Sequence, residues 1–105
     1  MEKGKKFGTR EVVAYQTESI VSNEIYENEV GGITLFAFDK NQRLSEHTAP
    51  FDATIFVLEG KGEIRIGGVP HLLDAGESII MPANVPHAVH AVEKFKMMLV
   101  MIRGL

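Results

Sequence analysis

The chain contains no cysteine. That removes disulfides, thiolate metal ligands and cysteine nucleophiles together. No apolar run approaches the roughly 20 residues that a transmembrane helix needs. The start, MEKGKKFG, carries lysines with no apolar stretch behind them, so no secretory signal is expected and a cytoplasmic protein is. Positive charge is not concentrated either. With a formal net charge of −3 and basic residues scattered outside Lys3, Lys5 and Lys6, there is no basic stripe for nucleic acid. Those three lysines read as part of a solvated terminus. No segment shows a helical stripe, and Ser45, Thr48 and Ser78 have no visible Ser–His–acid arrangement. Gly60-Lys61-Gly62 and Gly67-Gly68 are turn signals and not phosphate cradles, because no helix follows to present its amides.

What is present suits one packed domain. The chain has 105 residues, 45% of them hydrophobic, so residues 1–105 form one domain that is neither disordered nor membrane-spanning. Residues 1–10 read as a loose arm. Strands are expected at Glu11–Tyr15, Ser19–Tyr26, 33–38, Leu44–Thr48, Ala53–Leu58, Glu63–Ile66, Val69–Leu73, Ile79–Met81, after His87, and 95–102. Alternation across Ser19–Tyr26 puts Ile20 on one face and Val21 and Ile25 on the other. ITLFAF is nearly continuous in apolar residues and reads as covered on both faces. Glu27-Asn28-Glu29, Asp39-Lys40-Asn41, Glu59–Gly62, Asp74-Ala75-Gly76 and Glu93-Lys94 read as turns or breaks. Ile79-Ile80-Met81, between Gly76 and Pro82, reads as a buried strand. About ten short strands at this spacing give an all-β sandwich or barrel.

The stretch GESIIMPANVPH and the region before it resemble the cupins, small jelly-roll (double-stranded β-helix) barrels that often hold a metal. Gly76, Pro82 and His87 match the second cupin motif, with Asn84 in place of its second glycine and Ala91 in place of its last asparagine. Asparagine tolerates the left-handed backbone, so the turn survives the exchange. Counting back from Gly60 puts His47 at the first histidine of the first motif. Ala49 stands at the second histidine and Ala53 at the glutamate. The resemblance covers residues 32–92 and implies a barrel pocket containing two of the four usual metal ligands.

The expected pocket is formed by His47, Ala49, Ala53, His87, Phe38 and Met81. Apolar walls come from Phe36 or Phe38 and from some of Met81, Met97, Met98 and Met101, although the methionines of MMLVM otherwise read as core filling. His47 and His87 are the metal candidates, for iron, zinc, manganese or nickel. Such sites commonly take a third protein ligand, and Glu46, Asp52, His71 and His90 are on offer. Alternation turns Glu46 and His90 outward, leaves Asp52 in the bend after Pro50, and sets His71 on the face of Leu73. Two readings stand side by side. One is a barrel that binds a small molecule through a divalent metal, whether or not it is an enzyme. The other is a metal-free binding, sensory or structural module. The resemblance also implies a homodimer, with the strands around Val12–Ile25 pairing with a partner's sheet.

Overall fold

The computed structural model describes residues 1–103. Among them are seven strands and no helix: β1 (Ile20–Asn28), β2 (Gly31–Phe38), β3 (Arg43–His47), β4 (Ala53–Ile66), β5 (Val69–Asp74), β6 (Ser78–Met81) and β7 (His87–Ile102). With no helix, none is long and apolar enough to cross a membrane. Every pairing is antiparallel.

Two long strands, β4 and β7, run beside each other and change outer partners midway. Residues 53–56 of β4 pair with β6, and residues 61–66 pair with β5. The start of β7 pairs with β3, and residues 95–102 pair with β2. The result is two sheets, β1-β2-β7-β4-β6 and β3-β7-β4-β5, joined by the same two bent strands. This is a jelly-roll barrel.

The bends account for most of the difference from ten strands. Glu59–Gly62 and Glu93-Lys94 are not turns between strands. They are the corners at which β4 and β7 cross from one sheet to the other, the usual place for bulges. The β4–β7 register slips between Val57 and Glu59 and again between Gly60 and Gly62. Gly60 has φ +80°, and a Cβ there would collide with the Lys94 carbonyl oxygen. A Cβ on Gly62 would lie 2.7 Å from the Phe95 ring. The corner therefore needs both glycines, which is why it resembles a turn in sequence.

The remaining strand is lost at Glu11–Tyr15, which is not a strand. Its side chains cover a sheet face while its backbone joins no ladder. The stretch 27–29 is corrected too, since β1 continues to Asn28. β6 is not a buried strand: Ile79 and Met81 face the inner core, while Ile80 points to the opposite, uncovered face and is 63% exposed.

Alternation along β2 divides the apolar residues into two cores. Phe38 joins Ile55, Val57, Ile64, Phe95 and others inside the barrel. Leu35 and Ala37 face outward, where Ile25 and Val13 bury them with Val12 and Tyr15 alongside. β2 is thus covered on both faces, as its apolar run requires. Ile20 packs on the inner core and Val21 on the outer one.

Candidate functional site

The loop before β7 sets the direction of His87. Asn84 has φ 64°, and its N–H donates to the Ala49 carbonyl at 2.7 Å. The Ala83 N–H donates to Asp52 Oδ1 at 2.8 Å. Residues 82–86 are therefore pinned to the bend that links β3 to β4. His87 is the cross-strand partner of His47, just past an irregularity in the β3–β7 register.

Both imidazoles are held the same way. His47 Nδ1 lies 2.9 Å from the Ser45 carbonyl oxygen, and His87 Nδ1 lies 3.3 Å from that of Val85. A carbonyl only accepts, so each Nδ1–H is the donor. Each Nε2 is then left facing the other, 3.1 Å away, with ring centroids 4.3 Å apart and the rings at 70°. Two neutral rings of this tautomer would oppose lone pairs. A proton or a metal ion between them resolves the conflict.

The arrangement fits a metal. Zinc–imidazole bonds are about 2.0–2.1 Å, and bond angles between a right angle and the tetrahedral value put two such nitrogens about 2.9–3.4 Å apart. Nδ1–H bonds to carbonyls are the outer-shell contacts that orient histidine ligands. The pKa of His87 is lowered below its ordinary value, first by burial and then by the neighbouring His47 ring, against a smaller raising effect of the Val85 carbonyl. That favours the neutral ring a metal needs.

A cavity of about 70 Å³ lies beneath the pair. Ala49, Ala53 and Met81 line it with His47 and His87, and β7 adds Val89, Met97, Leu99 and Met101. Leu44, Phe51 and Ile55 complete the wall. Phe51 had no signal in the sequence, and alternation from His47 turns Leu44 outward, whereas the irregularity between Leu44 and His47 brings it inward. Leu99 follows from extending the β7 alternation past its corner. Phe38 is not part of this cavity. It stacks on Phe95 with centroids 4.7 Å apart, toward the corner end of β7, and Phe36 lies beside it. Met98 faces the outer core, because it is out of phase with Met97 and Met101.

None of the four further ligand candidates joins the histidine pair. Asp52 is turned to the Ala83 amide. Glu46 and His90 line a separate groove of about 540 Å³ on the outside of the barrel, with Arg43, Glu63 and Arg65. His71 is on β5, paired with Ile64. Among the described residues, no three histidine, cysteine or acidic side chains come together to hold a metal.

Comparison with known proteins agrees with the barrel. The family model described as a cupin domain matches residues 34–103. A conserved protein of unknown function from Streptococcus pyogenes is 33% identical, with a TM-score of 0.94 over 100% of this chain and 92% of that one. A cupin 2 conserved barrel domain protein from Leptotrichia buccalis is 41% identical, with a TM-score of 0.89 over 91% of this chain and 47% of that one. A cupin superfamily protein from Desulfitobacterium hafniense shares the fold, with a TM-score of 0.91 at 18% identity. No curated protein matches the chain.

Proposed function

The chain belongs to the cupin domain family, and we propose that its barrel binds a small ligand through a metal ion held by His47 and His87. The observation that carries this reading is the pair of Nε2 atoms 3.1 Å apart, each on a ring whose Nδ1 faces a backbone carbonyl. A bound metal would act as a Lewis acid toward whatever completes its coordination. With alanine at positions 49 and 53, the chain supplies two imidazoles and leaves the remaining positions to other donors. A cavity of about 70 Å³ has room for only a few water-sized groups, so the ligand is small or reaches in with one end.

Metal analysis of untagged protein beside a His47→Ala/His87→Ala variant tests the proposal. Bound metal in the parent and its loss in the variant are expected. Equal content in both would refute the metal reading. It would favour the second one, a metal-free cupin module in which the two rings share a proton, for which the hydrocarbon wall at Ala49 and Ala53 is the motive.

A further inference from the structure

The wall of the histidine cavity contains three methionines, Met81, Met97 and Met101. Two of them hold a specific place. Ala53 pairs with Met81 across β4–β6 and with Met101 across β4–β7. Cross-strand partners project on the same face of a sheet, so the methyl group of Ala53 has a thioether side chain on each flank. Met81 is 3% exposed and Met101 is partly buried against the inner core. The side-chain heteroatoms that the lining offers besides the two imidazoles are the methionine sulfurs, because its other side chains are hydrocarbon.

Ligand softness then decides which ion such a site takes. Carboxylates and water suit hard divalent ions, whereas thioethers select Cu(I), for which imidazole is also a good ligand. Methionine has three rotatable bonds and a polarisable sulfur, so it can move its donor atom within a small cavity without moving the strand. Building on the two-histidine reading above, we infer that this is a site for a soft monovalent cation of the Cu(I) class. Nε2 of His47 and His87 supplies two ligands, and a thioether from Met81 or Met101 adds a third, which leaves a position for the small ligand.

The test is an anaerobic competition titration with Cu(I) against a chromophoric chelator, run beside a Zn(II) titration. It uses the parent chain, a Met81→Leu/Met101→Leu variant and the His47→Ala/His87→Ala variant. Leucine for methionine nearly conserves volume, so the barrel is expected to keep its fold, and a thermal melt checks this. The methionine variant should bind Cu(I) at least about 10-fold more weakly, on the scale of losing contacts around a metal, with Zn(II) affinity unchanged. X-ray absorption of the Cu(I)-loaded parent should show a Cu–S path that the methionine variant lacks. Unchanged Cu(I) affinity in that variant, an equal fall for both ions, or a Cu(I) spectrum with no sulfur would overturn the inference while leaving the histidine site standing. Retention of both metals by the histidine variant would instead overturn the two-histidine reading itself.

Discussion

At the scale of single residues, Asn84 is the position on which His87 depends. Its φ of 64° is one that most L residues avoid, at about 1–2 kcal/mol, and that glycine adopts freely. Asparagine stands where the cupin motif has glycine, and its backbone N–H still reaches the Ala49 carbonyl. Asn84→Gly is therefore expected to change stability by only a few tenths of a kcal/mol. Asn84→Ala, which keeps the amide but adds conformational cost, should lose about 1 kcal/mol. Urea unfolding midpoints of the two variants check this ordering, and an alanine variant as stable as the glycine one would contradict it. His47 and His87 were legible from motif spacing, and alternation put both rings on the inner face. Their meeting in one pocket was implied by the motifs, but their direct cross-strand pairing was not legible, because it depends on the slipped register.

At the scale of elements, the corners explain what could and could not be read. Composition marks Glu59–Gly62 as a break, and the break is real, but glycine serves a bent continuous strand and a hairpin equally well. Only the partner strand decides, and β7 lies beside β4 on both sides of the corner. Phe38 was misplaced for the same reason. Alternation put it inside the barrel correctly but could not say which end of a curved strand pair it would reach. A further device joins the open end of the β1–β2 pair. Asp39 Oδ2 accepts the Glu18 N–H at 2.7 Å and Oδ1 accepts the Lys40 N–H at 2.9 Å. These two amide bonds, the first being the larger effect, hold the Asp39 carboxyl below its ordinary value of 3.8. A depressed folded-state pKa means that the unfolded chain takes up the proton first. The stabilisation is then complete above about pH 4 and is lost as the pH falls through the lowered folded value. Asp39→Asn should consequently narrow the difference in urea midpoint between pH 7 and pH 3. A difference as large as in the parent chain would show that these amide bonds do not depend on the charge.

At the scale of the whole molecule, the barrel has one core inside and a second outside, the latter roofed by the segment that failed to become a strand. Val13 is 3% exposed and packs with Ile25, Leu35 and Ala37. Beside it, the Tyr15 hydroxyl donates to Glu59 Oε1 at 2.7 Å. The Tyr15 phenol is held above its ordinary pKa by burial first and then by Glu59. Lys96 Nζ lies 3.5 Å from the same carboxylate, donates to the Arg10 carbonyl and sits 5.1 Å above the Tyr15 ring. The segment is thus fastened by a buried side chain and by a cluster at the corner of β4. Its roof covers the outward residues of β2, whose inward neighbours Phe36 and Phe38 belong to the inner core. Because one strand carries both cores, loosening the roof loosens the barrel, and unfolding should stay a single transition. Val13→Ala removes two buried methyl groups and leaves a cavity, a loss of about 2 kcal/mol. The expected result is a lower urea midpoint with an unchanged slope. A split transition, with residues 1–18 cut by trypsin at a urea concentration where the barrel still resists, would show instead that the roof is a separate unit laid on a barrel stable without it.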